Sequence, residues 1–214
     1  MNYDAVFFDF DGTVADTLRN ITNAVNHTMR HFGLREFTPE TLKPHLGWGV
    51  DYLMRHLIPG IAEEKILEIL GYYRPYYAQH TTENVVPYPD VLPMMERLRE
   101  AGLRLAIISN KPDAAVQPLV EQYFRGLIDL AIGELPGLPR KPAPDMLISA
   151  AKALRVDLSR CVYVGDSEVD IQTANNAGID CVCVTWGFRT REELARAGAE
   201  RIADSAEQLI RFIL

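Results

Sequence analysis

Short apolar runs recur along the chain, and each stops at polar residues or a glycine. Residues 5–10 run into Asp9, Asp11 and Gly12, residues 103–108 stop at Ser109-Asn110, and residues 127–132 stop at Gly133. Residues 161–164 end at Gly165-Asp166, and residues 181–184 at Thr185-Trp186. Runs this short and this uniformly apolar predict strands buried on both faces of a parallel sheet. Between them the apolar positions change to helical spacing, over 91–101, 114–124, 145–154, 170–177 and 191–197. The alternation predicts an α/β fold, a doubly wound parallel sheet joined by right-handed crossovers.

Residues 16–83 break the alternation. They hold only helical patterns, over 17–32, 39–46, 50–57 and 62–77, separated by Gly and Pro. The expected organisation is a core domain of residues 1–15 and 84–214, with an all-helical segment, residues 16–83, inserted after the first strand. All five histidines lie in that insertion. His27 and His31 share a helix face but have no Glu between them as a zinc-protease motif has, so they are expected on a solvated face.

Composition narrows the function classes. With 48% apolar and 24% charged residues in 214, the chain has ordinary globular usage, long enough for one α/β core with an insertion. A net charge of −7 argues against a nucleic-acid partner, since such proteins carry a basic stripe. A phosphate site in such a chain has to supply its own positive charge from a metal, a lysine or backbone amides. The first residues carry no basic segment like that of a signal peptide and no apolar run approaches a membrane span, so a cytoplasmic protein is expected. Cys161, Cys181 and Cys183 have no zinc-like spacing and are expected to behave as small core hydrophobes.

In an open parallel sheet, ligands bind beyond the carboxyl ends of the strands. The residues that punctuate the apolar runs fall there: Asp9 and Asp11, then Ser109, then Asp166. Lys141 joins them from the Pro-rich loop Arg140-Lys-Pro-Ala-Pro-Asp145. Two carboxylates at i, i+2 are able to share a metal, or to divide labour as nucleophile and acid. Gly12 lets backbone amides approach an oxyanion closely.

The segments DFDGT, IISN, the Lys of RKPAPD, and GDSEVD, in this order, resemble the four motifs of the haloacid dehalogenase superfamily phosphatases. The resemblance implies that Asp9 is a nucleophile forming an aspartyl-phosphate, and that Asp11 protonates the leaving oxygen and later deprotonates water. It implies that Ser109 binds the phosphoryl group with Gly12, Thr13 and Asn110, and that Lys141 neutralises it. It further implies Mg²⁺ held by Asp9, Asp166 and the backbone carbonyl of Asp11. Asp170, one helical turn beyond Asp166, is in position to reach the site directly or to orient a ligand water and Lys141, and the second role is favoured. Oxygen-only ligands suit Mg²⁺ better than zinc. Glu168 is expected to point elsewhere.

The helical insertion is similar to the small cap of the phosphoglycolate phosphatase-like branch, through Asp16-Thr17, Leu46-Gly47-Trp48-Gly49, Tyr76-Tyr77 and Pro87-Tyr88-Pro89. Such a cap excludes water and reads the leaving group. Gly47, Trp48 and Gly49 are candidates for substrate reading; packing of Trp48 between cap helices is the competing view. Lys43, His45 and Arg55 flank that loop as candidate partners for a carboxylate. Ile21 stands where a related mutase has a His, which favours a hydrolase, and the presence of Asp11 sets the chain apart from dehalogenases and phosphonatases. The expected substrate is a small phosphorylated metabolite, 2-phosphoglycolate first, with pyrophosphate, a sugar phosphate or a nucleotide as alternatives. A phospho-acceptor signalling domain is opposed by the length, the cap and Asp11. No nucleic-acid or membrane partner is expected, and the chain is expected to be a monomer or homodimer.

Overall fold

The computed structural model describes residues 3–214. Its main sheet has six parallel strands in the order β5-β4-β1-β6-β7-β8. They are β1 (Ala5–Phe8), β4 (Arg104–Pro112), β5 (Leu130–Glu134), β6 (Cys161–Gly165), β7 (Asp180–Val184) and β8 (Arg201–Ala203). The chain winds from β1 outward to β4 and β5, returns to β6 beside β1, and then winds the other way. The topological switch point therefore lies between β1 and β6, where the carboxyl ends open a crevice.

The strands read as unbroken apolar runs because both faces are covered. Val6, Phe8, Leu105, Ile107, Val162 and Val164 form one core with α5 (Val91–Glu100) and α10 (Ala206–Ile213). The alternate residues Ala5, Phe7, Ala106, Ile108 and Tyr163 form another with α7 (Asp145–Leu154). Successive side chains of a strand point to opposite faces, so one run feeds two cores. The remaining core helices are α6 (Asp113–Tyr123), α8 (Glu168–Ala177) and α9 (Arg191–Arg196).

The insertion leaves and re-enters through a two-stranded antiparallel ribbon, β2 (Ala15–Asp16) with β3 (Val86–Pro87). Between them lie α1 (Leu18–His31), α2 (Pro39–Leu42), α3 (Val50–Leu57) and α4 (Glu63–Gln79). Residues such as Val25, Met29, Leu42, Met54, Ile69 and Tyr73 give these helices a core of their own.

Some boundaries depart from expectation for local reasons. The expected helix 39–46 is α2 followed by a 3-10 turn at Lys43–His45, since Pro44 supplies no amide to continue the α-helix. Residues 127–129 precede β5, the Leu127 and Ile128 amides being turned back onto the Phe124 carbonyl. β8 carries no run long enough to announce it, whereas α10, also not expected, buries Leu209, Ile210 and Ile213 at helical spacing. His27 and His31 are not simply solvated: they stack on the α4 tyrosines, His27 on Tyr76 at 3.8 Å and His31 on Tyr72 at 3.9 Å.

Candidate active site

The end of β1 builds the first part of the site. The Asp9 amide donates to the Val164 carbonyl at 2.9 Å, which keeps Asp9 in line with the sheet. The chain then turns tightly, with amides of residues 13–15 folded back to the Phe10 carbonyl. Gly12 sits at φ +85°, and a Cβ there would lie 2.3 Å from Asp166 Oδ2. Gly187, in the loop after β7, is equally forced: a Cβ would lie 2.4 Å from the same oxygen. Asp166 is thus enclosed by backbone, with Phe188 N–H donating to Oδ2 at 2.6 Å and Thr13 Oγ1 donating to Oδ1 at 3.3 Å.

Lys141 is buried behind Asp9, too deep for its ammonium to reach water. Its Nζ lies 2.8 Å from Asp9 Oδ1, 2.8 Å from Asp170 Oδ1 and 2.8 Å from the Tyr163 hydroxyl. Three neighbours match the three donors of an ammonium, but the approach to Asp9 is ionic, and Oδ1 receives no aligned hydrogen bond. Tyr163 passes its own proton to the Ile108 carbonyl at 2.9 Å. Asp170 turns its other oxygen to the amides of Asp166 and Ser167 and to the Ser167 hydroxyl, closing the first turn of α8. Asn110 holds the Lys141 loop in place, exchanging hydrogen bonds with the Lys141 backbone at 2.8 and 2.9 Å, and its amide also donates to the Gly47 carbonyl of the insertion at 2.9 Å.

Asp9, Asp166 and Asp170 bring carboxylate oxygens within 4.8 Å of one another. Burial pushes Asp9 up to about 7, even against the pull of Lys141, and raises Asp166 well above the usual carboxylate range. Burial also works against the Lys141 ammonium, but Asp170 and Asp9 outweigh it and keep it protonated. Three buried carboxylates face one ammonium there; with all three ionised the excess is two negative charges, which a divalent cation would cancel. An all-oxygen donor set of clustered carboxylates fits a hard cation of the magnesium kind.

Asp9, Asp11, Ser109, Asn110, Gly47 and Gly49 line one pocket between the sheet edge and the insertion. Ile21, Leu46, Val50, Leu53, Tyr73 and Tyr77 give it an apolar wall. Gly12 and Thr13 pack at Asp166 rather than in that pocket. Trp48 lies beside that pocket, its indole N–H donating to Glu168 Oε1 at 2.9 Å and its ring stacked on Tyr52. Of the flanking cations only His45 lines the pocket. Arg55 pairs with Glu63, and the Lys43 carbonyl accepts from Arg189.

Two residues were missed in the sequence. Lys111 contacts Asp11, at 2.8 Å from its Oδ1, and belongs to the pocket wall. Its signal was its place, two residues past Ser109 at the end of a buried strand. Arg189 bridges core and insertion, pairing with Glu168 and donating to the carbonyls of Lys43, Pro44 and Leu46. Nothing in its local sequence distinguishes it from a surface arginine.

The model of the haloacid dehalogenase-like hydrolases matches residues 6–184. A phosphoglycolate phosphatase of Colwellia psychrerythraea is 32% identical, covering 97% of this chain and 95% of that protein. A structure from Lactobacillus delbrueckii subsp. bulgaricus, provisionally named a phosphoglycolate phosphatase, is 41% identical with TM-score 0.95, covering 100% of this chain and 99% of that one. CbbY from Rhodobacter sphaeroides, solved in complex with phosphate, is 25% identical with TM-score 0.81, covering 97% of this chain and 96% of that one.

Proposed function

We propose that this chain, which belongs to the haloacid dehalogenase-like hydrolases, is a magnesium-dependent phosphatase that cleaves 2-phosphoglycolate through an aspartyl-phosphate on Asp9. The observation that carries the reading is Asp9 itself: a carboxylate at the switch point of the sheet, facing the pocket and fixed from behind by Lys141.

In the first half-reaction a carboxylate oxygen of Asp9 attacks phosphorus while the bond from phosphorus to the ester oxygen breaks. Asp11, two residues on and in the same pocket, gives the departing alkoxide its proton. In the second half-reaction Asp11 takes a proton from water, which attacks the aspartyl-phosphate and restores the Asp9 carboxylate. The nucleophile and the phosphoryl group are both anionic, so rate depends on neutralising charge and holding the partners in line. Lys141 holds Asp9, and Tyr163 and Asp170 hold Lys141. Ser109 lines the same pocket, which supports its hydroxyl as a donor to a phosphoryl oxygen. Asp9, Asp166 and the backbone carbonyl of Asp11 would hold Mg²⁺, which would supply further positive charge for the phosphoryl oxygens.

Two features of the chain support the small substrate. The pocket wall is mostly apolar, which suits a short carbon skeleton and excludes water during transfer. The Colwellia relative matched along nearly the whole chain is named for phosphoglycolate. Phosphate release from a panel of phosphorylated metabolites with Mg²⁺ tests the reading. Phosphoglycolate should have the highest kcat/KM, and a clear preference for pyrophosphate, a sugar phosphate or a nucleotide would refute that choice.

A further inference from the structure

The pocket in front of Asp9 holds a buried ammonium to which the phosphoryl chemistry gives no task. Lys111 lies where β4 slips its register against β5, between Ile108 and Pro112. Its side chain is 1% exposed. Nζ donates to Asp11 Oδ1 at 2.8 Å and to the Tyr77 hydroxyl, and lies 4.7 Å from the centre of the Tyr77 ring. An ammonium has three donors; those two contacts leave one without a protein acceptor among the described residues. Lys141 differs on each point, with three neighbours around its Nζ and no part in lining the pocket.

Among the described residues the pocket lining holds no other full positive charge; the Arg140 guanidinium, which lies beside Gly49, is drawn toward Glu134 at 3.9 Å. The lining's one other basic side chain among the described residues is His45, which burial, then His56 and Arg189, push below the ordinary imidazole range. Around these groups the wall is aliphatic and aromatic. Such a wall gives an anionic leaving group one place to be neutralised.

Distance restricts what reaches that place. To protonate the leaving oxygen, Asp11 has to come within about 2.7 Å of it. Lys111 already contacts Oδ1 of Asp11, so with the proton delivered from the other carboxylate oxygen Nζ lies within about 8 Å of the leaving oxygen at full stretch, and nearer about 6 Å when the two hydrogen bonds bend toward one another. A carboxylate one carbon from the ester oxygen spans that gap with a single hydrogen bond, and a much longer acid overshoots it.

We propose that Lys111, with the Tyr77 hydroxyl beside it, receives the anionic group carried by the leaving alcohol and makes the enzyme selective for phosphate monoesters of small hydroxy acids. The proposal rests on the phosphatase reading above and names the residue that selects within it. Lys111 shares its donors between Asp11 and the substrate carboxylate, which also orients the ester oxygen toward Asp11.

The test compares matched substrates in the Mg²⁺-loaded enzyme: phosphoglycolate against ethyl phosphate, and 3-phosphoglycerate against glycerol 3-phosphate. Wild type should favour at least one acid over its uncharged counterpart in kcat/KM. Lys111→Met should cut that preference by at least tenfold, mainly through KM, and Tyr77→Phe should cut it by a few-fold. Thermal melts establish that each variant is folded; if Lys111→Met is not, Tyr77→Phe decides alone. A folded Lys111→Met that loses activity equally on acid and uncharged substrates overturns the proposal and makes Lys111 a partner of Asp11 only. An unchanged preference in Tyr77→Phe, or no wild-type preference in either pair, overturns it as well. A preference confined to 3-phosphoglycerate and erased in Lys111→Met upholds Lys111 while refuting phosphoglycolate as the substrate.

Discussion

Replacing Arg189 with Ala should destabilise the protein by an amount that the structure permits one to work out. The guanidinium is 7% exposed, and its contact with the 28%-exposed Glu168 is two-pronged, Nε to Oε2 at 2.8 Å and Nη2 to Oε1 at 3.0 Å. The remaining donors go to the insertion, to the carbonyls of Lys43 at 2.6 Å, Pro44 at 3.2 Å and Leu46 at 3.1 Å. Breaking a buried pair from one side costs about 3–5 kcal/mol, because the other charge is left uncompensated. Glu168 keeps some access to water and the Trp48 indole N–H as a donor, which argues for the lower end. Each orphaned carbonyl adds about 0.5–1.5 kcal/mol where water does not replace the arginine. With water taking over the part-buried Lys43 and Pro44 carbonyls and only the buried Leu46 carbonyl left dry, about 3.5–4.5 kcal/mol is expected, which for a chain of this size lowers Tm by roughly 7–18 °C. The assay is a thermal melt of Arg189→Ala, Glu168→Ala and the double variant. The cycle should show that the second substitution costs much less than the first, a coupling of at least about 1.5 kcal/mol. Arg189→Lys should recover little, since one ammonium cannot reproduce a forked pair and three carbonyl contacts. A Tm shift under about 2 °C, or additive single losses, would refute the assignment of Arg189 as the clasp between insertion and sheet.

Asp9→Asn should fold normally, with a melting temperature no lower than wild type, because it removes one of three carboxylates crowded around a single ammonium. Its turnover should fall at least about a thousandfold, and a tenth of wild-type activity would rule out the aspartyl-phosphate. Chelation should abolish phosphate release and Mg²⁺ restore it; Ca²⁺ should inhibit, since a larger ion takes longer bonds and both oxygens of a carboxylate. Turnover that persists in chelator would exclude the metal requirement. Trp48→Ala should lower kcat/KM in parallel on phosphoglycolate and p-nitrophenyl phosphate, together with Tm, because the indole holds Glu168 instead of facing the pocket. A loss confined to phosphoglycolate would restore a substrate-reading role to Trp48.

The pattern of apolar runs and their polar stops was enough to place Asp9 and Asp166 just past their strands, and Ser109 where the regular pairing of β4 stops, on one edge of a parallel sheet. That information is local: a strand buried on both faces must be apolar throughout, and the first polar residue after it marks where the chain leaves the core. The helical stretch after β1 was equally legible, because helical spacing is carried by neighbours three and four apart. β8 escaped notice since a three-residue edge strand bears too few apolar positions to set a period. What only the tertiary structure decided is which side chains meet across long separations. Lys111 and Lys141 are both lysines beside sheet-end loops, yet one faces the pocket and Asp11 and the other is sealed behind Asp9. The slip in β4 register between Ile108 and Pro112 accompanies that difference, and no local spacing announces it. Trp48, Glu168 and Arg189 lie on three segments, and their union depends on how the insertion docks against the loop after β7. Docking is governed by the packed surfaces of both parts at once, whereas a sequence pattern reports one element at a time.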